Sequence, residues 1–391
     1  MSARLPVRVA LLTNFVPPYR LPFFRAIAAR VQALRVFIAT PMEANRPWMA
    51  DHSGLDVVMQ RSLTLTRPWR HPSGFSEDLY IHLPYDTLGQ LHRYRPDVVI
   101  AGQLGVHALL ALLYRTLRRR TRLILWTTMS EHAEQGRGRM RTWLRRWILP
   151  RADALLANGA SGARYLRSFG VEPGRIFLSP YATDNAPFLA LPLARGDVAA
   201  RRLVFSGQLV ERKGLVPFLD SLARWAAAHP SQPVEFWLLG NGPLRAALEA
   251  RAVPASLSLR VLGSVQYAGL PEIYVQAGIL AFPSLADEWG IVVNEAMAAG
   301  LPVLGSVYSQ AVEELIVDGE TGWTFRPDRP DDMYAAVERA LSTAPDRLHE
   351  MRINARQQIS HLTPDFVADR VVSAIRSALD APPPPGPPAA S

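Results

Sequence analysis

Short runs of apolar residues alternate with segments of helical spacing along the whole chain. In the first half, strand-like runs such as Val7–Thr13 and Asp97–Ala101 each lead through a polar turn into a helical segment. The alternation restarts at Arg202–Ser206 and recurs at Val234–Leu239 and Ile279–Phe282. Because strands joined by helices run parallel, the sequence predicts two α/β domains, each a Rossmann-like doubly wound parallel sheet. We expect the two domains to face each other across a cleft.

The domain boundary is predicted at Ser179–Ala190, where two prolines and several polar residues interrupt the alternation. We expect an N-terminal Rossmann-like domain over residues 1–185 and a C-terminal Rossmann-like domain over residues 186–362. A last helix over residues 363–380 is expected to pack back toward the N-terminal domain. The tail, residues 381–391, is proline-rich and is expected to be disordered.

The composition excludes several classes of chemistry. The 391-residue chain has no cysteine, which rules out disulfides, thiolate nucleophiles and cysteine-ligated metals. No stretch is long and apolar enough to cross a bilayer. The short apolar run near the N-terminus closes at Thr13 and Asn14, so we interpret it as a strand and not as a signal peptide. We therefore expect a cytoplasmic protein.

Positive charge is concentrated in the first half of the chain. Residues 1–190 hold 26 Lys and Arg against 12 Asp and Glu, hence +14, whereas residues 191–391 hold 17 against 22, hence −5. A basic half attracts a polyanion, an anionic membrane surface or a phosphorylated acceptor. No recognition motif for nucleic acid accompanies the charge, so a nucleic-acid partner is not expected.

Residues 137–151 (RGRMRTWLRRWILPR) combine six arginines with apolar residues at helical spacing. On a helix, Trp143 and Trp147 would lie on an apolar face beside a basic one, as in helices that lie on membrane surfaces. The alternative is a surface helix whose apolar residues, among them Leu144 and Ile148, pack into their own domain. The membrane interpretation assigns the lipid contact to the arginines of the helix, namely Arg141, Arg145 and Arg146.

Three glycine-bearing turns of the second half follow strands and precede helices, at Gly207, Gly240 and Gly290. In a doubly wound sheet such turns lie at the carboxyl edge, where ligands bind. The segment Pro283–Ser306 adds an acidic loop before Gly290 and a helix start after it, whose unpaired N–H groups attract phosphate. We interpret this segment as a nucleotide-sugar site. The alternative is an ordinary strand-loop-helix unit with acidic residues that face water.

Lys213 is the single lysine among the 43 Lys and Arg residues of the chain. A lone lysine indicates a position that requires a compact, rotatable ammonium group in place of a planar guanidinium, the alternative being chance. With Arg212 it brings two cations to the carboxyl edge, where they can hold a diphosphate. No Asp-x-Asp pair follows a strand here, so no metal ion is expected to take part.

The segment Asp287–Val303 resembles the E-x7-E motif of the retaining glycosyltransferases of family 4, with Asp287 and Glu295 at the two acidic positions. The resemblance covers about residues 5–380, and the turn at Gly240 supports it. It implies the GT-B fold and transfer of a sugar from a UDP- or GDP-sugar to an acceptor hydroxyl, with retained anomeric configuration and without a cofactor. Glu295 would then bind the ribose, and Lys213 would bind the diphosphate.

The sequence departs from the family pattern on the donor side. Asp287 stands where the family has glutamate, so Glu288 is an alternative contact for the donor sugar. Gln208 stands where the family often has arginine, and Arg212 is expected to compensate. The predicted catalytic residues are Lys213, Arg212, Asp287 and Glu295. The predicted donor-binding residues are Gly207, Gln208, Gly240, Asn241, Gly263, Glu288, Trp289, Gly290, Ile291 and Val292.

The first domain departs from the family pattern as well. The loop of residues 14–20 replaces the usual glycine-rich first loop, and Trp126 or Thr127 occupies the place of the usual histidine. The predicted acceptor-side residues are Asn14, Tyr19, Arg20, Glu131 and His132.

The resemblance and the charge together predict a function in cell-surface polysaccharide or glycolipid biosynthesis. The acceptor would be lipid-linked or a saccharide, and the basic domain would rest on the inner face of the plasma membrane. Two alternatives stay open: a non-catalytic nucleotide-sugar-binding protein of the same fold, and another GT-B enzyme acting on nucleotide sugars.

Overall fold

The structure is a computed structural model that describes residues 4–43, 50–136 and 138–381, and the predicted disordered tail lies outside them from residue 382 on. The described chain forms two compact units. The first spans residues 4–69, 77–183 and 364–381, and the second spans residues 70–76 and 184–363.

The first unit consists of alternating strands and helices. Its elements are β1 (Leu5–Thr13), α1 (Leu21–Arg30), β2 (Val31–Ile38), β3 (Asp56–Met59), β4 (Ser62–Arg70), β5 (Ser76–Pro84), α2 (Thr87–Tyr94), β6 (Val98–Gly102), α3 (Val106–Leu117), β7 (Arg122–Thr127), α4 (Arg139–Ile148), β8 (Ala154–Ala157), α5 (Ala160–Arg167) and β9 (Ile176–Leu178).

The sheet of the first unit has seven parallel strands in the order β3-β2-β1-β6-β7-β8-β9. Strand β1 pairs on one side with β2 (Val9 opposite Leu34) and on the other with β6 (Val9 opposite Val98). The central strands are buried on both faces, which explains why they read as continuous apolar runs. β4 and β5 form a separate two-stranded sheet.

The second unit repeats the architecture. Its elements are α6 (Ala186–Leu189), α7 (Asp197–Ala200), β10 (Leu203–Ser206), α8 (Leu215–Ala228), β11 (Val234–Leu239), α9 (Arg245–Glu249), β12 (Leu257–Gly263), α10 (Leu270–Tyr274), β13 (Ile279–Phe282), α11 (Ile291–Ala298), β14 (Val303–Ser306), α12 (Gln310–Leu315), β15 (Gly322–Phe325), α13 (Pro330–Leu341) and α14 (Pro345–Ile359).

The strands of the second unit are all parallel and follow the order β12-β11-β10-β13-β14-β15. The order reverses direction between β10 and β13, which are neighbours although the chain visits β11 and β12 in between. In open α/β sheets, ligands bind outside the carboxyl ends of the strands at such a reversal. The predicted doubly wound parallel sheets are therefore confirmed in both units.

The last helix, α15 (Pro364–Asp380), belongs to the first unit. It packs against α1 and strands β7, β8 and β9. Arg30 of α1 contacts Asp365 at 2.8 Å and Asp369 at 2.7 Å. The chain thus leaves the first unit near Thr183 and returns to it at Pro364.

Residues 42–80 are polar and rich in proline and show no regular pattern in the sequence, yet much of this segment forms β3, β4 and β5. The exposed β4 carries no buried face to pattern its sequence. The helical spacing of apolar residues that begins at Leu21 continues to Leu34, whereas α1 ends at Arg30 and β2 follows without a loop. Val31 and Leu34 keep the helical spacing but are buried in the sheet.

Candidate active site

The turns after β10 and β13 leave the second sheet at neighbouring positions, because these two strands pair directly (Leu203 opposite Ile279). The turn after β10 contains Arg212 and Lys213, and the turn after β13 contains Asp287 and Gly290. Two hydrogen bonds join the turns: the Leu285 N–H donates to the Arg212 carbonyl at 2.8 Å, and the Arg212 guanidinium donates to the Ala286 carbonyl at 3.1 Å. The predicted cations and the predicted acidic loop therefore meet where the strand order reverses between β10 and β13, which we call the switch point of the sheet.

Three predicted glycines hold the neighbouring turns close together. The Gly207 N–H donates to the Leu239 carbonyl at 2.9 Å, and the Gly240 N–H donates to the Gly263 carbonyl at 2.8 Å. Gly240 has a φ of +143°, and a Cβ placed on it would lie 1.8 Å from the Gly207 carbonyl oxygen. Only glycine permits this approach.

Asn241 and Gln208 lie at the same edge. The Asn241 side chain is exposed and is held by Arg245, which donates to its Oδ1 at 2.6 Å, and by Ser264, whose Oγ accepts from its Nδ2 at 3.0 Å. The Asn241 carbonyl accepts from the Leu209 N–H at 2.9 Å, next to half-buried Gln208. The edge is thus lined by polar groups on a fixed backbone.

Asp287 forms the centre of a charged cluster. Its Oδ2 accepts a hydrogen bond from the Lys213 ammonium and lies 3.4 Å from an Arg212 guanidinium nitrogen. Lys213 is itself buried, and its Nζ lies 4.9 Å from the centre of the Phe282 ring. The lone lysine of the chain therefore occupies an enclosed position at the switch point.

The pKa of Asp287 is lowered to about 2. Burial acts in the opposite direction, but the charges of Lys213 and then Arg212 outweigh it, with a further contribution from the hydrogen bond that Lys213 donates. Asp287 is therefore ionised at neutral pH, and the cluster of one carboxylate and two cations carries a net positive charge.

The acidic loop is braced by the turn after β14. The Asp287 N–H donates to the Tyr308 carbonyl at 3.1 Å, and Gln310 Nε2 donates to the Glu288 carbonyl at 2.7 Å. Buried Ser309 donates to the Trp289 carbonyl. We did not predict these three bracing residues. The signal available was their position after an apolar run, which places them at the same carboxyl edge.

Asp287 and Glu288 have different surroundings. The Asp287 side chain is directed into the cation cluster, whereas Glu288 is exposed. Trp289 is buried, and its indole N–H donates to Asn294 Oδ1 at 2.9 Å. The loop is therefore anchored on both sides of Glu288.

Helix α11 begins immediately after Gly290, which has a φ of +104°. The N–H groups of Ile291 and Val292 are at helix positions that have no intrahelical acceptor. They add the positive end of a helix dipole to a site that already holds Lys213 and Arg212. Such an arrangement attracts the phosphates of a nucleotide.

Glu295, in the second turn of α11, is only 3% exposed. Burial raises its pKa to about 8, and its Oε2 has no hydrogen-bond partner in the structure. Tyr274 of α10 is also buried, and burial followed by the nearby Glu295 charge raises the pKa of Tyr274 well above its usual value. Nothing in the sequence pointed to Tyr274. A buried carboxyl group without a hydrogen-bond partner lowers the stability of the folded protein, and a hydroxyl group could supply that partner.

The predicted acceptor-side residues all lie in the first unit. Asn14 is buried, and its carbonyl accepts from the N–H groups of Ala39 and Thr40 at 2.9 Å each. The Arg20 guanidinium carbon lies 4.1 Å from the centre of the Tyr181 ring and 4.8 Å from that of Trp126.

Tyr19 and Glu131 each contact neighbouring side chains of the first unit. The Tyr19 ring centre lies 6.1 Å from that of Tyr181. Glu131 forms an ion pair with Arg164 at 2.8 Å, and its N–H donates to Ser161 Oγ at 3.2 Å. His132 follows Glu131 on the same partly buried turn.

Helix α4 corrects part of the interfacial prediction. Arg145, which we assigned to lipid contact, is buried and forms an ion pair with buried Glu134 while donating to the Tyr165 hydroxyl. Ile148 is buried and Leu144 packs against the same core, as the alternative interpretation required. Trp143 is instead exposed. Residue 137, the first of the predicted segment, lies outside the described residues.

Among the residues that the structure describes, no helix is long and apolar enough to span a bilayer. No group of three or more His, Asp and Glu side chains within residues 4–43, 50–136 and 138–381 is arranged to hold a metal ion.

Each of the two units matches a known protein family. Residues 20–182 match the "Glycosyl transferase 4-like domain", and residues 200–343 match "Glycosyl transferases group 1". Two parallel-sheet units with a charged switch-point site define a GT-B protein of the glycosyltransferase class. The chain belongs to the family 4 type of glycosyltransferases.

Curated relatives match over parts of their length. The chain is 25% identical over 249 residues to D-inositol 3-phosphate glycosyltransferase of Rhodococcus erythropolis, covering 59% of this chain and 55% of that protein. It is 27% identical over 264 residues to the lipopolysaccharide core biosynthesis mannosyltransferase LpsB of Rhizobium meliloti, covering 65% and 71%. The chain thus spans about half of the length of the first of these relatives.

Solved structures match over nearly the whole chain. HepE of Anabaena, crystallised with UDP and glucose, has a TM-score of 0.67 at 16% identity, over 95% of this chain and 100% of that one. The lipopolysaccharide outer core galactosyltransferase WaaB has a TM-score of 0.70 at 13% identity, over 95% and 99%. At such identities the likeness concerns the fold, and it confirms the predicted GT-B fold.

Proposed function

We propose that this protein transfers a sugar from a nucleoside-diphosphate sugar to an acceptor hydroxyl, with retention of anomeric configuration. The observation that carries the proposal is the cluster of Lys213, Arg212 and Asp287 at the β10–β13 switch point, beside the N-terminus of α11. Family membership supports the reaction class.

The chemistry follows from where charge develops. As the bond between the sugar and the diphosphate breaks, negative charge builds on the diphosphate oxygens. Lys213, Arg212 and the first N–H groups of α11 are placed at one sheet edge, so they would stabilise that charge electrostatically. The departing phosphate takes the proton of the acceptor hydroxyl as the new glycosidic bond forms, so the protein need not supply a strong base or a metal ion.

On the donor side, we assign the ribose to Glu295 and the transferred sugar to Asp287. A ribose hydroxyl would give Glu295 Oε2 the hydrogen bond that it lacks. Asp287, held by two cations, stays ionised and can accept from a sugar hydroxyl. The proposed donors are UDP- and GDP-sugars. HepE was crystallised with UDP-glucose, which favours a UDP-sugar.

On the acceptor side, we assign substrate contacts to Asn14, Tyr19, Arg20, Glu131 and His132. Relatives are named for inositol phosphate, for phosphatidylinositol and for the lipopolysaccharide core. These names favour a saccharide or lipid-linked acceptor in surface polysaccharide or glycolipid biosynthesis. A cytoplasmic protein resting on the inner membrane through its basic unit would reach such an acceptor.

The test is turnover of a panel of UDP- and GDP-sugars by the purified protein, with NMR assignment of the anomeric configuration of the product. We expect one donor to be hydrolysed or transferred with retention, unaffected by chelators, and Lys213→Ala to abolish the reaction. Full activity of Lys213→Ala would exclude the diphosphate role, and an inverted product would exclude retention. Gly319→Ala, in the same unit at an open position, is the control.

One observation favours a second candidate, a non-catalytic nucleotide-sugar-binding protein. Asp287 already pairs with Lys213, so a diphosphate must compete with an internal carboxylate for the ammonium. Tight binding of a nucleoside diphosphate without turnover of any donor in the panel would favour this candidate.

A further inference from the structure

Helix α4 presents apolar side chains to solvent and buries a charged one. Met140 is 84% exposed, Trp143 is 65% exposed and Trp147 is 41% exposed, whereas Arg145 is 3% exposed. The spacing of the three exposed residues places them along one side of the helix. A surface helix that only packed into its own domain would bury its apolar side chains and expose its charged ones.

Arginines border this exposed apolar stripe. Arg139, Arg146 and Arg151 are exposed around it, and Arg141 is partly exposed. The helix sequence, RMRTWLRRWI, contains no acidic residue. The Arg151 guanidinium carbon lies 4.6 Å from the centre of the Trp147 ring, which keeps cation and indole together at one end of the stripe.

A shallow depression lies beside the stripe. Its volume is about 400 Å³, and its lining residues are Gly138, Arg139, Thr142, Trp143 and Arg146. Two guanidinium groups and a hydroxyl next to an indole ring offer hydrogen bonds to a phosphate whose attached chain is apolar.

We propose that the exposed face of α4, defined by Met140, Trp143, Trp147, Arg139 and Arg146, docks on an anionic lipid bilayer. Indole rings and a thioether enter the headgroup region, and the arginines bind lipid phosphates, one of them in the depression. This combination of aromatic and basic residues is typical of helices that lie in the membrane interface. A second copy of the chain is a poor occupant, because α4 against α4 would place arginines against arginines.

Membrane docking rests on the proposed function, because it would bring the first unit to a lipid-linked acceptor. Arg145 links the docked helix to the turn that carries Glu131 and His132, since its partner Glu134 belongs to that turn. The exposed face itself includes no residue assigned to the donor site.

The experiment is co-sedimentation of the full chain with vesicles of phosphatidylcholine alone or mixed with phosphatidylglycerol, at low and high salt. We expect binding to the mixed vesicles at low salt only. Arg139→Ser/Arg146→Ser should weaken binding about 30-fold, because an arginine near an anionic surface contributes about a factor of five. Trp143→Ser/Trp147→Ser should weaken it about 10-fold or more through lost apolar insertion.

The matched control is Arg329→Ser/Arg347→Ser, which removes the same charge from exposed positions of the second unit. Equal binding of this control and of the α4 variants would overturn the proposal, as would absent binding by the wild type. A wild-type dimer that dissociates in Trp143→Ser/Trp147→Ser, without vesicle binding, would assign the face to a second copy. Hydrolysis of a soluble donor should be unchanged in every variant, so loss of docking and loss of the proposed function are separable.

Discussion

Two carboxyl groups of the candidate site have little exposure to solvent, yet their pKa values shift in opposite directions. Asp287 has two cations beside it, and its pKa falls to about 2 in spite of burial. Glu295 lacks such neighbours, and burial alone raises its pKa to about 8. At neutral pH the first is an acceptor of hydrogen bonds and the second is largely protonated in the absence of a ligand.

The first prediction concerns the pH dependence of stability that Glu295 imposes. Because its pKa in the folded protein lies above the usual value near 4.5, its contribution is full below pH 4.5 and is lost as the pH rises through about 8. Glu295→Gln cannot ionise. We expect the wild type to lose on the order of 3 kcal/mol more unfolding free energy than Glu295→Gln between pH 5 and pH 9.

Chemical denaturation of both proteins across this range measures the difference. Parallel pH curves for the two proteins would show that Glu295 is not held protonated by burial.

At the scale of single residues, the sequence identified the charged residues of the site but not their protonation states. The rarity of lysine singled out Lys213, and the structure places it in the Asp287 cluster. The assignment of ligand roles to these residues stays a prediction. The protonation of Glu295 depends on how completely the elements packed around α11 enclose it, and no local sequence pattern carries that information.

At the scale of elements, the glycine turns fix the spacing of the sheet edge. The second prediction is that Gly240→Ala lowers the unfolding free energy by more than about 2 kcal/mol, since the new Cβ meets the Gly207 carbonyl. Gly319→Ala is the matched control, because it also has a positive φ but has open space around it. It should cost only about 1 kcal/mol. Equal losses in denaturant melts would contradict a steric origin.

The third prediction concerns the ion pair that joins α4 to the preceding turn. Arg145→Ala should destabilise the protein by about 3–5 kcal/mol, because it leaves the buried Glu134 carboxylate without its cation. Arg146→Ala, one residue on but exposed, should change stability by less than about 0.5 kcal/mol. The double variant Glu134→Ala/Arg145→Ala should lose less than the sum of its two single variants in the same melts. An additive double variant would show that the pair is not coupled.

The elements also show where sequence patterns are weak. Strands with both faces covered, such as β6 and β8, read clearly as apolar runs. The β4–β5 pair has no buried face along β4, so its sequence lacks the alternation that marks a strand. In α4 the apolar residues divide between core and solvent, and the sequence alone could not say which ones face which way.

At the scale of the molecule, the doubly wound pattern was readable because each unit repeats strand, turn and helix with few exceptions. Helix α15 illustrates what lies beyond such a pattern. Its amphipathic spacing predicts a helix, but its place beside α1 is fixed by packing against residues more than 300 positions away and by the Arg30 ion pairs with Asp365 and Asp369.

The central claim is that one switch-point site binds the diphosphate through Lys213 and the ribose through Glu295. UDP and GDP are first compared, and the nucleotide that binds more tightly is chosen. Calorimetric titration of the protein with this nucleotide and with its 2′-deoxy form then tests both contacts. Lys213→Ala should weaken both nucleotides about 10- to 100-fold, as expected for a lost charge-assisted contact, and keep the preference for the ribonucleotide.

Glu295→Ala should bind the two nucleotides equally well. If Lys213→Ala binds both as tightly as the wild type does, or Glu295→Ala keeps the wild-type preference, the site does not bind the donor in this way.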